Sequence, residues 1–393
     1  MSSLLIAIIY LAFISLGLPD SLLGSAWPEM HQQMSMPLSA AGIITMLVSL
    51  GTVLSSLLSD KITRKFHTGP VVTVSVALTM VGLFGFSFST HFWMLCVIAL
   101  PYGLGAGAID AALNNYVALH YSSRHMSWLH SFWGVGTIIS PYVMSYAITG
   151  GLGWDGGYRI IGIIQSCILL LLIITLPLWI KVERSNLKYT PKIETEPIGV
   201  RGALKIKGVP YVLIGFLSYC AVEATVMLWA SSYFFEANSA SEELSAALGS
   251  LFFIGITVGR FAAGFISNRI GDKNMIRAGI AISGCGIIII ALSFSSIPVS
   301  IIGFLLIGIG FAPIYPSIIH ATPINFGEEN SQSIIGIQMA SAYVGSTFTP
   351  TLFGLIARYT DIRIMPVFLA IFVLITLLMT ELLNKTVAKK QPL

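Results

Sequence analysis

The sequence predicts an all-α polytopic membrane protein, and three observations carry that expectation. Only 10% of its 393 residues are charged and 55% are hydrophobic, against about 25% charged in a soluble domain. The mean hydropathy is +0.85, so the chain could not cover its own surface in water. Apolar segments long enough to cross a bilayer as helices, which takes about 20 residues, recur from end to end. A transmembrane barrel does not fit, because its short strands alternate apolar and polar residues.

Charged or turn-forming breaks delimit twelve segments, each boundary uncertain by about 2–4 residues. The first, 3–30, begins "MSSLLIAIIY" without the basic region or cleavage site of a signal peptide, so it reads as a span. Asp20 follows the helix-interrupting Pro19, and Trp27 lies seven residues on, about two turns along the same face. The second segment, 38–61, ends in "LLSDKITRK", and the third runs 68–90. The fourth, 92–121, holds "GAIDAALNNY", where Asp110 and Asn114 share a helical face with Asn115 and Tyr116 beside it. The fifth, 126–150, holds "SWLHSFWGVGTIISP", with His130 and Trp133 three apart, and the sixth is 157–181. The seventh, 208–236, carries Tyr219, Glu223 and Trp229; the eighth, 245–269, carries Arg260 and ends in "FISNRIGDK". The ninth is 274–296, the tenth (298–322) holds Tyr315, and the eleventh (331–357) holds Gln338 and Tyr343. The twelfth, 362–384, precedes Lys385, Lys389 and Lys390.

Charge sets the expected orientation. With the N-terminus placed in the cytoplasm, 17 of the 21 basic residues fall on that side, as the positive-inside rule requires. Both termini are then cytoplasmic, in a plasma or inner membrane. The net charge of +4 is explained by this distribution and gives no argument for nucleic acid. Cys96, Cys167, Cys220 and Cys285 lie in apolar segments without paired spacing and read as free thiols. The longest polar stretch, Lys181 to Gly208, cuts the spans into six and six. The expected organisation is a first half at 1–182, a cytoplasmic loop at 183–207 and a second half at 208–393.

The halves repeat at an offset of about 203–209 residues. Ser59-Asp60-Lys61 matches Ser267-Asn268-Arg269, "GLGAGAID" matches "GIGFAPIY", "GVGTIISP" matches "YVGSTFTP", and Asp20 has its counterpart in Glu223. Parallel six-span repeats resemble the major facilitator superfamily, whose substrate lies near the midplane between two halves. The resemblance implies a cavity lined by spans 1, 4, 5, 7, 10 and 11. That family's loop motif, G-x-x-x-D-(R/K)-x-G-(R/K)-(R/K), is similar to "SLLSDKITRK" (Ser56 to Lys65) and "GFISNRIGDK" (Gly264 to Lys273). It implies a gate, with Asp60 at a helix end and Arg64, Arg260 and Arg269 among the gating groups. The plainer alternative for the motif is a helix stop with orienting charges.

Asp20, Asp110 and Glu223 fall inside spans, where a charge costs about 2.5–3.5 kcal/mol or more. Such carboxyls usually face an aqueous cavity and exchange protons. The run from "D-x-x-x-N-N" to "L-H-S-F-W-G-x-G-x-x-x-x-P" resembles the fucose:proton symporter family and its glucose-transporting relatives. That resemblance implies proton coupling at Asp20 and Asp110, with Glu223 as the second half's carboxyl. It implies solute binding at Asp20, Asp110 and Asn114; beside these, Trp27, Asn115, His130, Trp133, Tyr219, Glu223, Tyr315, Gln338 and Tyr343 are candidate solute-binding groups by residue type and position. Structural alternatives stand beside these roles: Asp110 bonded to Asn114, His130 and the aromatics as packing groups, and Arg260 in an ion pair near the cytoplasmic end.

No Walker motif, metal-ligand cluster or nucleophile elbow occurs in the sequence. The expectation is a transporter rather than an enzyme, monomeric, with no cofactor and no metal, driven by an ion or solute gradient. Its partners are the lipid bilayer, a small solute such as a sugar, and H⁺ in preference to Na⁺. Two readings remain at this point: proton-coupled import of a sugar or similar polar solute, and export of hydrophobic compounds by proton antiport.

Overall fold

The computed structural model describes residues 2–187, 198–292 and 296–388. Residues 188–197 of the central loop, and Lys389 and Lys390, lie outside the described residues. Backbone contacts divide the chain into two units, one of Met1–Tyr116 with Phe132–Pro197, the other of Val117–Ser131 with Ile198–Leu393. All regular elements among the described residues are helices.

The first unit contains α1 (Ser2–Asp20), α2 (Leu22–Gln33), α3 (Ala41–Phe66), α4 (Thr68–Ser87), most of α5 (Phe92–His120) and α6 (Ser123–Thr149), and α7 (Gly153–Leu187). The second begins with the tip joining α5 to α6. It continues with α8 (Gly199–Lys205), α9 (Val209–Glu236), α10 (Glu242–Gly249), α11 (Leu251–Ile270), α12 (Asp272–Ala291) and α13 (Ile297–Phe311). It ends with α14 (Ile314–His320), α15 (Thr322–Phe326), α16 (Glu328–Tyr359) and α17 (Met365–Ala388).

Each of the twelve expected spans is mainly helical over its described residues. Among the described residues, ten helical stretches are long and apolar enough to cross a membrane by length and composition. α6 and α16, the fifth and eleventh expected spans, are as long but richer in polar residues. Three spans expected to be continuous are broken: the eighth at Ser250, between α10 and α11, and two others beside proline. A proline has no N–H for the carbonyl four residues back. In the first span α1 ends at Asp20, next to Pro19, and α2 restarts after Ser21. In the tenth, α13 and α14 are parted at Ala312-Pro313. At the matching place the first half has Ala108, and α5 runs on unbroken.

The repeat recurs in the backbone contacts inside each unit. A Cβ added to Gly103 of α5 would lie 2.1 Å from the Val48 carbonyl oxygen of α3; one on Gly308 of α13 would lie 2.8 Å from that of Phe252 in α11. Likewise a Cβ on Gly136 of α6 would fall on the Ile14 carbonyl oxygen, and one on Gly345 of α16 would lie 2.6 Å from that of Leu217. Helices in lipid gain little by burying apolar surface against each other, so small residues that let backbones approach decide where they cross.

Candidate functional site

In the first unit the break after α1 presents Asp20. Gly17, one turn earlier, lies against the backbone of Trp133, so α1 and α6 touch without intervening side chains. That contact brings the Trp133 indole Nε1 within 2.7 Å of Asp20 Oδ2, to which it donates. Trp133 is half-buried and Asp20 is exposed. Ser21 extends the polar strip, its Oγ lying 2.7 Å from both the Thr137 carbonyl and the Ser140 hydroxyl. Together they form a carboxylate, an indole donor and two hydroxyls on one α1–α6 seam.

Asp110 lies deeper, 5% exposed. The helical spacing acts as expected: Asn114 Nδ2 donates to Asp110 Oδ1 at 2.7 Å and to the Asp110 carbonyl at 3.0 Å. Asn115 is buried beside them. This bond matches the structural alternative for Asp110 and also holds the carboxyl in one rotamer.

The second unit holds a buried ion pair. Glu223, midway along α9, is 9% exposed, and Arg260, midway along α11, is 2% exposed. Arg260 Nη2 donates to Glu223 Oε1 at 2.8 Å. The same nitrogen lies 3.4 Å from the Tyr219 hydroxyl, which donates to the Phe311 carbonyl at 3.2 Å. The guanidinium is 5.9 Å from the Tyr315 ring centre, and the His130 ring lies tilted against Tyr315 with ring centres 4.5 Å apart. Four residues expected to bind solute are thus gathered around Arg260. Arg260 itself, expected near the cytoplasmic end among the gating groups, is mid-helix and paired with Glu223.

The loop motif requires a correction. α3 ends at Phe66 with His67 at φ 65, ψ 161; α11 ends at Ile270 with Gly271 at φ 78, ψ 153. These two turns are equivalent, which aligns Arg64 with Asn268 and Asp60 with Gly264. Asp60 therefore sits one helical turn earlier than the motif's acidic position. It lies inside α3 rather than at a helix end, where Arg64 Nε donates to its Oδ1 at 2.6 Å. Matching letters hid the shift, because the helix end that fixes the register is not written in the sequence.

The second copy of the motif receives the tip. Trp128 lies over Gly264, where a Cβ would come within 2.3 Å of its Nε1, and that nitrogen donates to the Phe261 carbonyl at 3.2 Å. Asn268 Oδ1 accepts from the Arg124 backbone N–H at 3.1 Å. Ser123 Oγ donates to Asp272 Oδ1 at 2.6 Å, and Asp272 Oδ2 lies 2.6 Å from His320 Nδ1. Sequence reading missed Asp272, Ser123 and His320. The one available signal was an acid at position 272, where the motif has a basic residue. Arg269 is exposed.

Other expected residues lie elsewhere. Trp27, 4% exposed, is part of a hydrophobic cluster with Leu83, Phe86 and Trp154, and its Nε1 donates to the Leu38 carbonyl at 2.7 Å. Gln338 is buried in α16 and accepts from Thr322 Oγ1 at 3.1 Å. Tyr343 is half-buried on the same helix. The four cysteines are free thiols. Among the described residues, no cluster of three or more His, Cys, Asp or Glu could hold a metal ion.

Comparison with known proteins agrees with this architecture. The profile of the Major Facilitator Superfamily matches residues 9–239 and 211–392. The chain is 22% identical over 303 residues to the glucose/mannose transporter GlcP of Bacillus subtilis, an overlap of 74% of this chain and 72% of that one. Its fold is similar to that of the E. coli fucose:proton symporter FucP, with a TM-score of 0.77 at 14% identity over 96% and 98% of the two chains. It is equally similar to the proton:xylose symporter XylE, with a TM-score of 0.77 at 13% identity over 97% and 95%.

Proposed function

The chain belongs to the Major Facilitator Superfamily, and from that premise we propose that it imports a sugar or similar small polar solute together with protons, by alternating access. The observation that carries this reading is the Asp20–Trp133 pair at the α1 break. A carboxylate accepts from solute hydroxyls and an indole face stacks on the apolar side of a sugar ring. Asp20 also changes charge on taking up a proton, so solute affinity and protonation are linked at one group. The names of the relatives, a glucose/mannose transporter and symporters of fucose and xylose with protons, support the same class.

On this reading Asp20, Asp110 and Glu223 share the proton coupling, and the residues around Trp133 and Arg260 contact solute. The halves 1–182 and 208–393 alternate about the loop 183–207, in a monomer in the plasma or inner membrane with both termini cytoplasmic. The test is counterflow of labelled hexoses, pentoses and 6-deoxyhexoses in proteoliposomes, with an imposed pH difference as a second arm. Saturable exchange, and accumulation that follows the proton gradient, are expected. Absence of exchange with every sugar tested, together with extrusion of a lipophilic dye, would overturn the reading.

A further inference from the structure

The tip Val117–Ser131 is covalently part of α5 and α6 but belongs to the second unit. Its attachment there includes a histidine whose two ring nitrogens both face acceptors. His320 Nδ1 lies 2.6 Å from Asp272 Oδ2, and His320 Nε2 lies 3.2 Å from the Tyr121 carbonyl oxygen. A carbonyl oxygen carries no hydrogen, so the Nε2 contact is a bond only if Nε2 is protonated. A second proton must then lie between Nδ1 and the carboxyl. A neutral imidazole beside an ionised Asp272 has one proton for two contacts, and the other contact becomes lone pair against lone pair. The pair therefore holds one proton more than neutral histidine with carboxylate, that is, an imidazolium on a carboxylate. Asp272 opens α12. Its other oxygen is engaged by Ser123 of the tip.

We propose that Asp272, His320 and Ser123 form a proton-operated latch that docks the α5–α6 tip on the second unit. With the extra proton, His320 ties Tyr121 and Ser123 to the start of α12. When that proton leaves, one of the two His320 contacts turns repulsive and the tip is released. The sign is fixed by the balance: the docked form binds the extra proton, so it is held at low pH and lost as pH rises. The proposal rests on the transporter reading for its consequence. The motif loops are there assigned to the cytoplasm, so the latch makes opening on that side depend on cytoplasmic pH.

The elements packed against α14 are α9, α12, α13 and α15. α13 and α15 carry no charged or titratable side chain. On α12 the charged groups are Asp272, Lys273 and Arg277, and Arg277 is bonded to Glu381. On α9 they are Glu223, paired with Arg260, and Glu236; Cys285 of α12 and the cysteine and tyrosines of α9 also titrate. Within the tip, His120, Tyr121, Arg124 and His130 accompany His125, whose ring packs against Tyr121 and Trp128. Asp272 is the charged group in contact with His320.

The test reads the tip without any solute. A cysteine replaces Met126, a fully buried residue of the tip, in a chain whose four native cysteines are changed to alanine. Its reaction with a water-soluble maleimide is followed in lipid nanodiscs from about pH 6 to about pH 9. Each rate is divided by that of the detergent-unfolded chain at the same pH, which removes the thiol's own titration. The normalised rate should rise about tenfold with pH, the cost of losing one charge-assisted hydrogen bond. It should be high and flat in His320→Gln and Asp272→Asn, and should keep its pH profile in His125→Gln. A flat profile in the parent chain, or an unchanged one in both His320→Gln and Asp272→Asn, would overturn the latch. Sugar exchange is measured separately: its absence alongside pH-dependent labelling would remove the import reading and leave the latch in place.

Discussion

Removing one partner of the Glu223–Arg260 pair should cost far more than removing both. At the observed 2.8 Å, two unit charges in an effective dielectric of about 20 attract by about 6 kcal/mol. Each ion has also given up several kcal/mol of hydration, so the pair is worth little net against well-packed apolar groups. Glu223→Gln leaves a guanidinium 2% exposed without its counter-charge, at a cost of about 3–5 kcal/mol. Arginine cannot shed its proton to escape, whereas the lone carboxyl left by Arg260→Met can take one up. The Glu223 variant should therefore be the worse at neutral pH, and Arg260→Met should recover stability as pH falls. At about 2–4 °C per kcal/mol for a unit of some 200 residues, Glu223→Gln loses on the order of 10 °C. The double variant Glu223→Gln/Arg260→Met should return to within a few degrees of the parent. The assay is retention of the monodisperse peak after heating in detergent, for both single variants and the double. A Glu223→Gln midpoint within 2 °C of the parent, or a double variant as unstable as the two losses combined, would refute the argument.

Asp20→Asn and Asp110→Asn keep shape and lose titration: both should abolish accumulation driven by a pH jump, while Asp110→Asn retains solute exchange and equilibrium binding. Unchanged accumulation in both would make the carboxyls structural. His67 occupies φ 65, ψ 161, a region that is essentially glycine's alone and costs about 1–3 kcal/mol; its counterpart is Gly271. His67→Gly should therefore raise the thermal midpoint by a few degrees, and a lower midpoint would contradict the strain. Gly264→Ala puts a methyl 2.3 Å from Trp128 Nε1 and should displace that indole at a cost of about 1–3 kcal/mol. Tryptophan emission in that variant should shift, and an unchanged spectrum with unchanged stability would refute the slot.

The span pattern was legible because it rests on composition, and the Asp110–Asn114 bond because it rests on helical spacing alone. The Asp20–Trp133 bond needed more: the residues are far apart in sequence, and the close α1–α6 crossing at Gly17 and Gly136 brings them together. Pro19 and Pro313 were visible, yet whether a proline kinks a span or ends it depends on what satisfies the freed carbonyl. The register of the first loop motif was misread because its letters match one turn too early. The latch was hidden for the opposite reason. His320, Asp272 and Ser123 belong to three different helices, and the one local signal was the acid at 272 where the loop motif has a base.

What the repeat keeps and what it changes have different causes. Helix crossings need small residues at backbone contacts, so Gly103 and Gly308, and Gly136 and Gly345, stand in equivalent places. Side chains off those contacts are free to diverge, and Asp110 has Tyr315 as its counterpart. The divergence changes the charge each unit carries through a protonation step. In the first unit, Asp20 and Asp110 are bonded by the neutral donors Trp133 and Asn114, so proton uptake there ends in a neutral site. In the second, Glu223 is bonded by a fixed cation, so uptake there ends in a net positive one. A buried uncompensated cation is the costlier product. On the proposed reading Glu223 therefore stays on Arg260 until a polar group of the solute takes its place. Solute binding then depends on the pair: Glu223→Gln/Arg260→Met should lose solute exchange while its thermal midpoint stays within a few degrees of the parent, and unchanged exchange would remove the pair from the solute path.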